Sequence, residues 1–426
     1  MLDAMEIQKG FQKTEIGVIP SDWEVKKLSS VCSLSKTRIN PINSEINYKC
    51  VELEHLSQET GRLLGSANSK NLKSQKTVFN KGDVLFGKLR PYLKKFLYAN
   101  FDGVCTTEIW VLKSSNGIQN KWLYYLVQTD SVLEVANQTE GTKMPRADWK
   151  MVSETKIPLP PTKAEQTAIA NALNDADALI TQLEKLIAKK RNIKQGAMQE
   201  LLKGKRRLPG FEEKKGYKQT DVGVIPNDWE IKSLAEITSL MTNGFVGTVK
   251  SHYTDYDNGI LYIQGYNVEE NSFNFTGIKR VSHEFHKQHF KSCLQEGDLL
   301  TIQTGDIGIT TVVSKELEGS NCHALIITRF KKRTAEPKFY SYYFNFSDGR
   351  KRLKEIETGS TMKHINVGDM TQMLIPYPPK AEQIRIAQIL SDMDAEIEAL
   401  EKKLDKYKMI KQGMIQNLLT GKKRLI

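Results

Sequence analysis

A chain of 426 residues with 39% hydrophobic and 26% charged side chains reads as a soluble globular protein of two to three domains, not a fibrous or disordered one. No apolar run approaches the roughly 18–20 residues that cross a bilayer, and the opening MLDAMEIQKGFQK lacks the apolar core of a signal peptide, so a cytoplasmic protein with no membrane partner is expected. Five scattered cysteines without a C-x-x-C argue against a disulfide framework or zinc ribbon and read as buried thiols, while a net charge of +12 points to a polyanionic partner.

In chain order, the first element is TEIGVIPSDWEVKKL, from Thr14 to Leu28. Its alternation predicts a strand with Trp23 and Val25 inward and Glu24 and Lys26 toward water; a capping box from Ser21 to Glu24 is the local alternative. Glu24-x-Lys26 also resembles the last element of a metal-dependent nuclease site. That chemistry needs a second carboxylate well upstream to hold Mg²⁺ with the substrate phosphate, and Asp22 lies only two residues ahead. No metal site is expected here.

KGDVLFGKLRPYLKK follows at Lys81, with a strand at Gly-Asp-Val-Leu-Phe and then a basic stretch. Lys88, Arg90, Lys94 and Lys95 suit phosphate or guanine edges, and Tyr92 suits a base or sugar; a basic hairpin merely solvated by water is the alternative. EIWVL at Glu108 predicts another strand, and KWLYYLVQTDSVLEVA at Lys121 an amphipathic helix. Thr142, Lys143 and Arg146 lie in the next loop, before the junction that follows.

Past Pro160-Pro161, apolar residues at Ile169, Leu173, Ala176, Ile180, Leu183 and Ile187 repeat at a 4-3-4-3-4 spacing, the seam of a coiled coil with gaps at Lys190 and Lys194. The pattern predicts a helix from Thr162 to Lys203, about 63 Å long at 1.5 Å per residue, ending at Gly204. The tail KGKRRL can contact phosphate or a partner, or be a solvated helix end.

Everything then recurs in the same order. TDVGVIPNDWEIKSL begins at Thr220, shifted by 206 positions and carrying Glu230-x-Lys232. EGDLLTI at Glu296 answers KGDVLFG at an offset of 215, so the second copy gains a net nine residues before it. GSTMKHI at Gly359 answers GTKMPRA, and a second seam runs through Ile386, Leu390, Met393, Ile397, Leu400 and Leu404, with a gap at Lys411 and an end at Gly421. Where the first copy has Arg-Pro-Tyr the second reads TIQTGDIG, with Gln303 and Thr304 at the equivalent place and Ser360, Thr361, Lys363 and His364 in the later loop. HEFHKQH at His283 has no counterpart in the first copy, is not H-E-x-x-H, and is expected to be a solvated helix. No Walker A loop, methyltransferase motif or nucleophile elbow is visible, so no catalytic residue and no cofactor are expected on this chain. The fold class is α+β: a mixed α/β domain followed by a long helix, duplicated in tandem. The two helices pack on each other or form a coil with another protein.

The twin G-x-I-P-x-D-W-E phrases, twin G-D-x-L blocks, K-L-R-P-Y at Lys88, G-S-T-M-K-H-I at Gly359 and the I-P-x-P-P…E-Q joints resemble, across nearly the whole chain, the DNA-specificity subunit of Type I restriction–modification enzymes. The resemblance implies that residues 1–160 and 211–377 are target recognition domains, each reading one half of a split double-stranded DNA site. Lys88, Arg90, Tyr92, Lys94 and Lys95 would be DNA contacts in one, and Gln303 and Thr304 readers in the other, glutamine suiting adenine. Thr142, Lys143, Arg146, Ser360, Thr361, Lys363 and His364 are further candidates, or residues shaping the domain–helix junction. It implies that 161–210 and 378–426 are helices paired as an antiparallel coiled coil, Ile169, Leu173, Ile180, Leu183 and Ile187 against Ile386, Leu390, Ile397, Leu400 and Leu404. Two adenine methyltransferase subunits carrying S-adenosylmethionine would dock on this frame, joined by restriction subunits that use ATP and Mg. The rival from another class is a coiled-coil DNA-binding structural protein without sequence specificity.

Overall fold

The computed structural model describes residues 9–138, 144–211, 215–255, 257–360 and 363–425. Its chain divides into two compact units, Met1–Lys185 with Lys402–Ile426, and Leu186–Glu401. The two long helices, Lys163–Leu201 and Lys380–Leu418, each contribute to both units. Each helix begins just after its Pro-Pro pair, as proline's missing N–H requires.

The first unit opens with a hairpin, Phe11–Thr14 against Gly17–Pro20. Trp23 is buried, and the following strand, Glu24–Lys27, pairs antiparallel with Lys156–Leu159. Glu24 and Lys26 stand in water and pair with each other at 2.7 Å, so the strand reading holds for this segment. A four-stranded sheet runs in the order Phe96–Tyr98, Val84–Gly87, Ile109–Ser114, Cys32–Leu34, and a five-stranded sheet has Gly103–Thr106 at its centre. The stretch expected to be one amphipathic helix is two, Asn120–Leu126 and Asp130–Asn137. Gln128 and Thr129 break it by turning their side chains back onto the carbonyls of Tyr124 and Leu126. Trp122 through Leu126 are buried without alternation, because this helix packs in the core cluster with Val84 and Phe86 of the sheet and Ile169, Leu173, Ile415 and Leu418 of the long helices.

The second unit repeats the plan. Its hairpin is Tyr217–Thr220 with Gly223–Pro226, Trp229 is fully buried, and Glu230–Ser233 pairs with Leu374–Tyr377. Its four-stranded sheet keeps the same order by sequence equivalence: Thr238–Asn243, Leu325–Phe330, Leu299–Ile302, Thr310–Val312. Beside it lies a reduced, three-stranded version of the second sheet. A parallel pairing recurs in both units, Cys105 opposite Val51 in one and Cys322 opposite Ile263 in the other.

The helix pairing is antiparallel in each unit. In the first, Asp177 meets Lys411 at 2.6 Å and Glu184 meets Lys408 at 3.9 Å; partner numbers fall as helix numbers rise. In the second, Lys190 meets Glu396 at 2.6 Å and Lys194 meets Asp394. Ile169, Leu173, Ile180, Leu183, Ile187, Ile386, Leu390, Ile397 and Leu404 are all buried, while Leu400 is half-buried. The gaps in the heptad pattern have a structural role. In the first unit Lys411 and the Tyr125 hydroxyl (2.8 Å) both hold Asp177. In the second Lys194 and the Tyr342 hydroxyl (2.7 Å) both hold Asp394. Lys194 and Lys411, at equivalent places in the two seams, thus each belong to a Lys–Asp–Tyr triad, the kind of polar contact that favours one register more than it adds stability, while Lys190 pairs with Glu396 alone.

Candidate nucleic-acid interface

In the first unit the strand Val84–Gly87 runs out into Lys88–Lys94, whose middle is a tight turn over Pro91–Leu93. Arg90 and Lys94 flank it with left-handed backbones, φ +52 and +48, where a side chain costs energy that glycine would not. The turn is held by a second segment. Leu89 and Arg146 form an isolated bridge, the Arg90 amide donates to the Pro145 carbonyl at 2.8 Å, and the Ala147 amide donates to the Lys88 carbonyl at 2.9 Å. Glu108 anchors both sides. Its carbonyl accepts from the Lys88 amide at 3.0 Å, and its carboxylate takes the Arg146 guanidinium at 2.9 and 3.2 Å, which raises that guanidinium's pKa.

The second unit builds the same device from other residues. Thr304 bridges His364, at positions equivalent to Leu89 and Arg146, and the Ile365 amide donates to the Gln303 carbonyl at 3.1 Å. Gly305, equivalent to Arg90, takes the left-handed conformation at φ +81 without strain. By strand register Leu325 is the counterpart of Ile109, so Ala324 stands where the first unit has Glu108 and the carboxylate anchor is absent from this copy.

The structure therefore brings Lys88, Arg90 and Tyr92 together with Arg146, and Gln303 and Thr304 together with His364. Arg90 and Tyr92 are exposed and Lys88 half-exposed, and none makes a side-chain hydrogen bond or ion pair among the described residues. Their neighbours are committed elsewhere: Lys94 pairs with Glu59 at 3.2 Å, Lys95 donates to the Leu53 carbonyl at 2.6 Å, and Arg146 is held by Glu108. In the second unit Lys363 pairs with Glu357 at 3.4 Å and Ser360 is exposed. Thr142, Lys143 and Thr361 lie outside the described residues.

Sequence reasoning passed over Glu108, whose only signal was an acidic residue in an otherwise apolar strand. It also misjudged HEFHKQH. The helix His283–Gln288 is not simply solvated: His286 bonds Asn321, His283 contacts the Asn258 carbonyl at 2.8 Å, and His289 lies against Phe245 and Phe285 at 4.4 Å. No group of metal-ligating side chains occurs among the described residues. Cys32, Cys50, Cys105 and Cys322 are buried and unpaired, and burial pushes the Cys32 thiol up to about 12 and that of Cys50 to about 11. No described helix is long and apolar enough to cross a membrane.

A family model described as the Type I restriction modification DNA specificity domain matches residues 20–195 and again 226–408. The MjaVIII Type I restriction enzyme specificity subunit of Methanocaldococcus jannaschii is 24% identical over 429 residues, 96% of this chain and 94% of that one. Two solved structures share the fold. The S subunit of a Type-I restriction-modification system from M. genitalium aligns at TM-score 0.57 and 15% identity, covering 93% of this chain and 96% of its own. A chain from a study of complex assembly in the type I R-M system aligns at TM-score 0.60 and 20% identity, covering 95% and 99%. With both copies of its repeat matched, the chain belongs to the family of Type I restriction–modification DNA specificity subunits.

Proposed function

We propose that the two units read the two halves of an asymmetric bipartite site in double-stranded DNA, and that the chain performs no catalytic step itself. The supporting observation is the bridge that recurs at equivalent positions, Leu89 to Arg146 and Thr304 to His364. One backbone device displays Lys88, Arg90 and Tyr92 in one copy and Gln303 and Thr304 in the other. Arginine suits the guanine O6/N7 edge and glutamine the adenine N6/N7 edge, so the half-sites differ. The paired helices set the spacer between half-sites and dock two adenine methyltransferase subunits, which bring S-adenosylmethionine. Restriction subunits add ATP- and Mg-dependent cleavage, and the assembly works in the cytoplasm, beside the DNA.

The test is to co-express the chain with its methyltransferase and map modified adenines by long-read sequencing. One bipartite motif of fixed spacing is expected; modification without any motif would favour the structural DNA-binding coil instead. Inserting four residues into the central helix lengthens it by about 6 Å, and the recognised spacer should grow by roughly one or two base pairs at 3.4 Å each. An unchanged spacer would exclude the helix as a ruler.

A further inference from the structure

Next to each pair of bridged loops lies a second cleft. In the first unit it measures about 610 Å³ and is lined by Ser33, Ser35, Lys36, Arg38 and Trp149. In the second it measures about 630 Å³ and is lined by Thr242, Asn243, Val246, Gln288, His289 and Val367, among others. The two clefts occupy the same place in the repeat. Each lies at the end of the first strand of its four-stranded sheet, Cys32–Leu34 or Thr238–Asn243. Each is closed by the short helix that follows the bridge, through Trp149, three residues after Arg146, or Val367, three residues after His364. Each cleft is thus tied to its bridged segment through that helix.

Their linings differ at most positions, although an exposed lysine, Lys291, stands in the second cleft as Lys36 and Arg38 do in the first. Lys36 and Arg38 are exposed, make no side-chain hydrogen bond or ion pair among the described residues, and stand beside the half-exposed Trp149. The second cleft instead offers the exposed amides of Asn243 and Gln288, the latter with one long contact to Glu284 at 3.4 Å, and an exposed apolar wall at Val246. Gln288 and His289 come from a stretch that the first copy lacks.

A partner common to both units would be met by the same side chains at equivalent positions, as the Lys–Asp–Tyr triads are. Equivalent clefts with unlike linings suit a ligand that differs between the units. We propose that each cleft is a second base-reading surface of its unit: Lys36 and Arg38 for guanine acceptors in one half-site, Asn243 and Gln288 for adenine, with Val246 against a thymine methyl, in the other. This rests on the reading of DNA by the bridged loops and extends it to residues outside them.

The test uses the full chain assembled with its methyltransferase. Lys36→Ala with Arg38→Ala should relax base positions in one half of the methylated motif only, and Asn243→Ala with Gln288→Ala in the other half only. Competition with singly substituted duplexes should show discrimination at those positions falling about tenfold. The replaced side chains are exposed, so melting temperatures should stay unchanged; the milder Arg38→Gln and Asn243→Ser, made singly, read the same positions if a double variant melts early. Retention of the wild-type motif by these variants overturns the proposal, whether affinity is unchanged or falls uniformly, because the clefts would then not read bases. If the wild-type complex itself yields no bipartite motif, the loop reading fails and this inference falls with it.

Discussion

Arg424 donates to both oxygens of Glu165, at 2.8 and 2.9 Å, and its third nitrogen reaches both oxygens of Asp22 at 2.9 and 3.0 Å. Arg207 does the same in the second unit, holding Glu382 at 2.8 and 2.9 Å and Asp228 at 2.6 and 3.0 Å. Each clamp gathers the start of a globular part, the start of one long helix and the tail of the other. Asp22 and Asp228 are arginine receptors, and the basic tails, for which phosphate, a partner or a solvated helix end were the alternatives, each turn one arginine back onto them.

Removing a clamp should destabilise its unit. Glu382 is 1% exposed and Arg207 only 7%, so Arg207→Ala leaves buried carboxylates unpaired, at a cost of about 3–5 kcal/mol. Arg424 is 30% exposed, and Arg424→Ala should cost less, about 1–3 kcal/mol. Urea denaturation followed by tryptophan fluorescence measures both, since Trp229 donates to Glu382 and Trp23 is next to Asp22 in sequence. Adding Glu382→Gln to Arg207→Ala should restore part of the loss by removing the unpaired charge. No change in the Arg207→Ala midpoint would show that the clamp carries no stability.

The glycines at the helix ends give a sharper contrast. A Cβ on Gly421, at φ +72, would fall 2.4 Å from Pro20 Cδ, and one on Gly204, at φ +64, would fall 2.5 Å from Pro226 Cγ. Alanine at either position combines a left-handed backbone, about 1–2 kcal/mol, with overpacking of about 1–3 kcal/mol. Gly196 and Gly413, inside the helices with nothing near their Cβ positions, should instead gain about 0.5–1 kcal/mol as alanine. Equal effects at all four sites would mean that helix propensity alone governs them.

The repeat, the strands at Val84–Gly87 and Ile109–Ser114 and both long helices were legible because each rests on local periodicity. So was the inward Trp23. The arginine clamps were not: Asp22 and Arg424 are separated by 402 positions, and nothing local distinguishes a tail arginine that folds back from one left in water. The break at Gln128–Thr129 was hidden because that helix is buried all round, which removes the alternation that marks its ends. The bridged loops were found as motifs, but that they meet is a tertiary fact. The flanking clefts carry no motif, since their residues are those that differ between the copies.

The second unit should weaken below neutral pH through His323. Its ring is half-buried beside the Tyr262 hydroxyl at 3.0 Å, and burial lowers its pKa below the usual 6.5. The unfolded chain therefore binds a proton that the folded chain refuses. The stability from this group is fully present above about 6.5 and is lost as pH falls through the folded value. Denaturation midpoints taken between pH 7.5 and 5.5 should fall for the wild type and fall less for His323→Gln; parallel curves would remove His323 as the source.

Arg90 should show stability and reading pulling apart. Its left-handed backbone is strained, and the equivalent residue in the second unit is Gly305 in the same conformation. Strain at such a site persists where the side chain has a use. Arg90→Gly should therefore raise stability by about 1 kcal/mol. It should also lower affinity for the cognate duplex about tenfold and relax one base position in a single half of the motif. Arg90→Lys keeps the charge but loses the bidentate fork, so it should retain non-specific binding while losing the same base preference. If Arg90→Gly gains stability with the motif intact, the turn is a strained loop and not a reader. If it loses stability, the left-handed backbone is not the strained element that its geometry indicates.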